Sequence, residues 1–146
     1  MKQAVLIVAC LFTLLLLGSC QTKEPNNMTS NKQETVTFIN EVKDADVWIL
    51  PDTQANRKTT LWGTATAAKV KSGESREAPL TEPGDDGLYL FRMIDADRFY
   101  YSANGVKLQA NWSVTIRADD PHTVTLEVKD ETGTLQNTYA VFSAKL

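Results

Sequence analysis

The sequence has few of the side chains that build metal centres and nucleophilic catalytic sites. It contains one histidine, His122, and two cysteines, Cys10 and Cys20, in 146 residues. A histidine-rich metal site is therefore excluded, and the chain beyond residue 20 has no thiol for a disulfide or a thiolate metal site. It also has no Gly-x-Ser-x-Gly nucleophile elbow. His122 follows Asp-Pro in a predicted turn, where a solvated side chain is expected, so we predict that the protein is not an enzyme and binds no cofactor or metal.

The chain also lacks an apolar run long enough to cross a bilayer. Residues 4–17 form an uncharged, mainly apolar segment of 14 residues, whereas a spanning helix needs about 20. The shorter length is typical of the hydrophobic region of a signal peptide. Lys2 supplies the positive charge that precedes such a region, and two small residues, Gly18 and Ser19, follow it.

The apolar segment ends in Leu17-Gly18-Ser19-Cys20, which resembles the lipobox of bacterial lipoprotein precursors. The resemblance implies that residues 1–19 are a removed signal peptide and that Cys20 becomes the lipidated first residue. Two or three acyl chains would hold the protein firmly on a membrane, because each buried CH₂ contributes about 0.8 kcal/mol. The alternatives are a short uncleaved anchor and an ordinary secretory signal.

This resemblance also predicts the location of the protein. We expect a lipid anchor in the cell membrane or the outer membrane, with the folded domain on the extracytoplasmic side. Gln21 stands where an aspartate would resemble an inner-membrane retention signal, so the outer membrane is favoured where one exists. Residues 20–34 are polar apart from Met28 and form the lipidated cysteine and a predicted flexible linker.

A basic surface of the kind that binds nucleic acid is missing as well. The chain has 15 basic and 18 acidic residues, for a formal net charge of −3. Nucleic-acid binding domains carry a basic patch or stripe. We therefore predict no nucleic-acid partner, and expect the membrane, reached through Cys20, and a protein or a glycan as partners.

From residue 35 onward the sequence favours β-structure. Short runs rich in β-branched and aromatic residues alternate with turn signals every 8 to 12 residues. The predicted strands are 35–39, 47–50, 88–94, 99–103, 106–110, 113–117, 123–128 and 139–142, with a further strand favoured within 61–70. The pattern predicts an all-β domain over 35–146, an antiparallel β-sandwich of about seven or eight strands and immunoglobulin-like size; a small β-barrel is the alternative.

Three connections in this pattern carry specific expectations. Asn104-Gly105 lies between two predicted strands, and this dipeptide is a strong signal for a two-residue hairpin turn. Residues 52–60 are polar and predict a loop. Asp95-Ala96-Asp97 begins like a calcium-binding loop, but the glycine and glutamate of an EF-hand are absent at the required spacing. A looser calcium site and a simple aspartate turn remain as the two interpretations, and the turn is favoured.

Aromatic side chains are the remaining candidates for function. Phe99-Tyr100-Tyr101 must place rings on both faces of one strand, because successive side chains alternate. Exposed rings can stack on a sugar or on a partner protein. The sequence therefore predicts a non-catalytic binding or structural domain of unknown ligand. The alternative is a surface glycan-binding module that uses exposed aromatic residues, with candidates Tyr100, Tyr101, Trp62 and Trp112.

Overall fold

The computed structural model describes residues 33–59, 67–120 and 123–146. These residues form a short α-helix, α1 (Gln54–Lys58), one 3₁₀ turn (Asp85–Gly87) and nine strands. The strands are β1 (Thr35–Asn40), β2 (Ala45–Pro51), β3 (Ala67–Val70), β4 (Ser75–Pro79), β5 (Tyr89–Asp95), β6 (Phe99–Val106), β7 (Ser113–Asp120), β8 (Thr123–Lys129) and β9 (Leu135–Lys145). The predicted all-β class is confirmed.

The strands belong to one sheet in the order β3-β2-β5-β6-β9-β8-β7-β1-β4. The two outermost strands, β3 and β4, lie beside each other, so the sheet curls into an almost closed barrel. The structure therefore agrees with the barrel alternative of the fold prediction. Neighbouring strands are antiparallel except β1 and β7, which run parallel, and the sheet is consequently mixed.

The longest strand, β9, joins the two halves of the barrel. Its residues from Leu135 to Val141 pair with β8, and its residues from Phe142 to Lys145 pair with β6. One half is therefore β4-β1-β7-β8 and the other is β6-β5-β2-β3. Side chains such as Phe38 of β1 and Phe91 of β5, which meet inside the barrel from opposite halves, are far apart in the sequence.

The interior is packed by alternate residues of each strand. Along β1 every second residue is buried, including Val36 and Phe38, which is the pattern of a strand with one solvated face. Phe38 meets Phe91 of β5 across the interior, with ring centroids 6.3 Å apart. Each fully buried side chain of this size contributes about 1.5–3 kcal/mol, and no cysteine is needed to hold the domain together.

The predicted hairpin at Asn104-Gly105 is wrong. Strand β6 continues through both residues to Val106, and Gly105 adopts a φ of 68°. The pairing of β6 with β5 shifts between Tyr89 and Phe91, so the dipeptide forms a β-bulge rather than a chain reversal. The same freedom at positive φ that suits a turn also suits a bulge.

Two further segments differ from the sequence predictions. The predicted loop 52–60 contains α1, whose first turn is capped by Thr53 through a bond from the Asn56 N–H to the Thr53 side chain (3.1 Å). Strand β4 was not predicted; three of its five residues are exposed, and its short Ser-Arg-Glu-Ala-Pro sequence has no clear apolar alternation.

Several predictions fall outside the described residues. These are the signal peptide 1–19, Cys20 with the linker as far as residue 32, Trp62 and His122. Within the described ranges, no helix combines the length and hydropathy of a membrane span.

Candidate functional site

One end of the barrel contains a pocket of about 390 Å³. It lies where β5 ends and β6 begins, opposite the last residues of β7 and the first residues of β8. Its apolar lining comes from both halves of the barrel and consists of Val42, Phe99, Tyr101, Ala118 and Val124. A pocket that combines apolar walls with a few polar groups is the usual form of a small-molecule site.

Two aromatic side chains form one wall of the pocket because of the alternation along β6. Phe99 and Tyr101 are two residues apart and share the inner face, with ring centroids 6.5 Å apart. Tyr100 lies between them on the outer face. The prediction that this run places rings on both faces of one strand is confirmed.

A buried carboxylate, Asp95, lies at the base of this wall. It ends β5 and is 7% exposed. Its Oδ1 accepts hydrogen bonds from the backbone N–H groups of Asp97 (3.0 Å) and Phe99 (2.8 Å). Its Oδ2 accepts one from the Tyr101 hydroxyl at 3.0 Å. Asp95 therefore forms the predicted aspartate turn and also fixes the tyrosine.

The Tyr101 hydroxyl keeps its proton far above neutral pH. Burial raises the pKa of Tyr101 to about 12, and the hydrogen bond to Asp95 and its negative charge act in the same direction. Both effects disfavour the phenolate. The pair thus supplies a fixed phenol and a fixed carboxylate to the pocket.

Charged groups surround the pocket opening. Lys43 lines the pocket and forms an ion pair with Asp97; both side chains are exposed, so this pair adds little stability. The hydrogen bond from Lys43 to Asp97 raises the pKa of Lys43. Asp120, at the end of β7, also lines the pocket, and its Oδ1 accepts a bond from the Thr123 N–H at 2.9 Å.

The opposite end of the same strands holds a second buried carboxylate, Asp52, which is 1% exposed. Arg57 of α1 contacts both of its oxygens, with Nη2 3.0 Å from Oδ2. The Gly105 N–H, placed by the bulge in β6, donates to Oδ2 at 2.9 Å. The hydrogen bond from Arg57 holds the pKa of Asp52 below its usual value.

The backbone also packs tightly around Asp52. A Cβ added to Gly84 would lie 2.3 Å from the Asp52 backbone nitrogen, so only glycine fits there. The Gly84 N–H and the Asp52 N–H both donate to the Leu88 carbonyl, at 2.9 and 3.0 Å. The Gly84 backbone and the Arg57 side chain therefore fill the space directly around Asp52.

The aromatic candidates from the sequence do not form one group. Tyr101 is 4% exposed and lines the pocket, whereas Tyr100 lies on the other side of the same strand. Trp112 is half-buried against the core and precedes β7, six residues before Ala118, which corresponds to about 20 Å along an extended strand. Trp62 lies outside the described residues.

Sequence reasoning missed most of the pocket. Val42, Ala118 and Val124 show only ordinary strand or loop signals, and nothing local marks them as neighbours. Asp95 was recognised from the sequence as a loop carboxylate. Across the described parts of the chain, no three His, Cys, Asp or Glu side chains are grouped to hold a metal ion.

Comparison with known proteins gives no match: no protein-family model, no curated protein and no solved structure is significantly similar to this chain.

Proposed function

We propose that this protein is a lipid-anchored envelope protein whose barrel is a non-catalytic binding domain, with its ligand in the pocket at the Asp95 end. The observation that carries the binding role is the pocket itself. Its volume of about 390 Å³ falls within the 300–1,000 Å³ typical of ligand sites. Cavities of about 310 and 380 Å³ lie elsewhere on the domain, and this pocket differs from them in having the buried Asp95–Tyr101 pair and the Phe99 ring in its walls.

The chemistry of the pocket favours holding a ligand over transforming it. Both oxygens of Asp95 already accept hydrogen bonds, and Tyr101 has a pKa of about 12. A general base works best when its pKa lies near the operating pH. The Asp95–Tyr101 pair is therefore better suited to positioning a ligand by hydrogen bonds than to transferring a proton.

The binding role can be tested by filling the pocket. Ala118 pairs with the inward-facing Val124, so Ala118→Leu should project into the cavity. In the full chain held in lipid nanodiscs, benzyl alcohol should give a saturation-transfer NMR signal above that of empty nanodiscs. We expect Ala118→Leu to abolish this excess signal and the matched change Ala140→Leu, at an exposed position on β9, to preserve it. Equal signals from both variants would contradict the pocket as the site.

The anchoring role rests on the resemblance of Leu17-Gly18-Ser19-Cys20 to a lipobox. Cys20→Ala should abolish labelling by palmitate in living cells and release the protein from the membrane fraction. Cys10→Ala is a matched control, because it removes the other thiol and should leave both properties intact. A Cys20→Ala protein that still incorporates palmitate would contradict the anchor.

A second candidate function, glycan binding, is favoured by the outer face of β6 and β9. Phe142 is 66% exposed and pairs with Ser102, while Tyr100 pairs with Ala144, so both rings belong to one outward surface. Aromatic faces of this kind stack on sugars. Phe142→Ser should reduce retention in polysaccharide affinity gels, whereas Leu135→Ser, at the other end of β9 and 53% exposed, should not. Unchanged retention of Phe142→Ser would contradict this candidate.

A further inference from the structure

The bulge in β6 contains a dipeptide that is chemically labile in proteins. Asn104-Gly105 is the single asparagine–glycine pair of the chain. Its asparagine is exposed and its glycine is half-buried. Asparagine deamidates most readily before glycine, because the following backbone nitrogen then has no neighbouring side chain to shield it. The pair is therefore a candidate site of spontaneous covalent change.

Deamidation at this pair needs the backbone nitrogen of Gly105. That nitrogen gives up its proton to the solvent and forms a bond to Cγ of Asn104. The bond from Cγ to Nδ2 breaks, and ammonia leaves with the bonding electron pair and a proton from the solvent. Water then opens the five-membered succinimide at either of its carbonyl carbons, giving aspartate or isoaspartate. The reaction consumes one water molecule for each ammonia released and requires no other co-reactant.

The structure holds this nitrogen in a hydrogen bond. The Gly105 N–H donates to Asp52 Oδ2 at 2.9 Å, and the buried Asp52 carboxylate is fixed by Arg57, which contacts both of its oxygens. The pKa of Asp52 lies below its usual value, so the carboxylate is charged at neutral and alkaline pH. Loss of the Gly105 proton beside this charge is unfavourable, and attack on Asn104 requires the hydrogen bond to break first.

We propose that Asn104 is a latent deamidation site, which the hydrogen bond from Gly105 to Asp52 protects in the folded barrel and which local opening around Asp52 exposes. The inference concerns the end of the barrel opposite the Asp95 pocket and is independent of what that pocket binds. Because the ammonia is lost, each conversion is a permanent record of an opening event.

The product should hinder the same region from closing again. Aspartate at position 104 adds a negative charge one residue from the nitrogen that Asp52 holds. Isoaspartate also inserts an additional carbon into the backbone of β6, ahead of the point where its pairing with β5 resumes at Val106 and Tyr89. We therefore expect the isoaspartate form of the protein to be the less stable of the two products.

Peptide mass spectrometry of the full chain in detergent micelles measures the reaction, because conversion of the amide to the acid changes the mass of the peptide that contains Asn104. Wild-type protein would be incubated at mildly alkaline pH, folded and, separately, unfolded in urea. We expect Asn104 to be the fastest-reacting asparagine of the unfolded chain and to react at least about tenfold more slowly in the folded one. Asn104→Gln assigns the signal, since it should abolish the mass change in that peptide.

Two variants separate the hydrogen bond from the ion pair. Asp52→Ala and Arg57→Ala both break the contact between these two residues, but only Asp52→Ala removes the acceptor of the Gly105 N–H. We expect folded Asp52→Ala to deamidate about tenfold faster than folded Arg57→Ala. Hydrogen exchange of the Gly105 amide should accelerate in the same variant.

Three outcomes would contradict the proposal. Equal rates in folded and unfolded wild-type chain would show that the site is not protected, and equal rates in folded Asp52→Ala and folded Arg57→Ala would overturn the role of Asp52. If Asp52→Ala does not fold, wild-type protein in urea below its unfolding transition decides. There, exchange of the Gly105 amide and deamidation of Asn104 should accelerate together, and a constant deamidation rate during faster exchange would overturn the proposal.

Discussion

The barrel holds two buried aspartates at opposite ends of the same strands, and they differ in what satisfies them. Asp52 contacts the guanidinium of Arg57 through both oxygens. Asp95 accepts from two backbone N–H groups and from the Tyr101 hydroxyl. Both carboxylates have their hydrogen bonds, but only Asp52 has a cation directly against it.

This difference separates a closed corner around Asp52 from an open corner around Asp95. At the closed corner the carboxylate is paired with Arg57 and Gly84 packs against the Asp52 backbone; the cavity of about 380 Å³ at this end is lined by other residues, among them Leu80 and Leu108. At the open corner Asp95 itself lines a pocket of about 390 Å³.

The closed corner should be the more sensitive to added volume. Gly84→Ala forces a Cβ to within 2.3 Å of the Asp52 backbone, and because backbone cannot move aside cheaply we expect a loss of about 3 kcal/mol in the free energy of unfolding. Gly133→Ala is the control: Gly133 has φ 82° and open space around it, so strain alone should cost about 1 kcal/mol. Equal losses in urea unfolding would contradict tight packing at Asp52.

Neutralising the paired aspartate should have the next largest effect. Asp52→Asn removes the negative charge that Arg57 contacts, and we expect it to lower the free energy of unfolding by about 2 kcal/mol at neutral pH. The pKa of Asp52 is lowered in the folded state, so its contribution is present above the unfolded value of 3.8 and is lost as the pH falls through the lowered pKa. Urea unfolding of both proteins should therefore converge in acid; a difference that persists unchanged at low pH would contradict the ion pair.

The same substitution at the open corner should cost less. Asp95→Asn keeps an oxygen that can accept from the N–H groups of Asp97 and Phe99, and it breaks no ion pair of the kind that Asp52 makes with Arg57. We therefore expect the free energy of unfolding to fall by about 1.5 kcal/mol. Urea unfolding of Asp95→Asn and Asp52→Asn at neutral pH would compare the two losses. A larger loss at Asp95 than at Asp52 would reverse the distinction between the two corners.

Removing the phenol of the open corner should give the smallest loss and a change at alkaline pH. Tyr101→Phe deletes one hydrogen-bond donor to Asp95, and we expect it to lower the free energy of unfolding by about 1 kcal/mol. The pKa of Tyr101 is raised from 10.0 to about 12, so its contribution is complete below pH 10 and is lost as the pH rises towards 12. The unfolding free energies of the two proteins should approach each other over that range, and phenolate absorbance should show one tyrosine fewer titrating near pH 12. An unchanged absorbance titration would contradict the assignment.

The sequence predicted the parts of the fold that depend on local alternation. Strands β5, β7 and β8 were recognised because their apolar residues recur at strand spacing or form a continuous run. Strand β4 was missed because Ser75, Arg76 and Glu77 are exposed at a sheet edge, where polar residues are common. The parallel pairing of β1 with β7 joins strands that are far apart in the sequence, and no local pattern predicts which strands pair.

The two corners could be predicted from the sequence only in their local features, because the contacts between distant residues leave no local pattern. The aspartate turn at Asp95 is local and was expected, whereas its pocket needs Ala118 and Val124 from the other half of the barrel. At the closed corner, Gly105 has the positive φ that suits a turn, but the hairpin prediction was wrong, because the residue lies in a bulge whose N–H donates to Asp52, far away in the sequence. Local sequence therefore marks backbone conformation, while the partners come from the closure of the sheet.

The most direct test of the account is a comparison of methyl resonances at the two ends of the barrel during titration of the full chain with benzyl alcohol. The account predicts saturable shifts for Val42 and Val124, which line the pocket beside Asp95, and none for Leu80 and Leu108, which line a cavity of about 380 Å³ at the other end. Shifts confined to Leu80 and Leu108, or no saturable shift at either end, would contradict it.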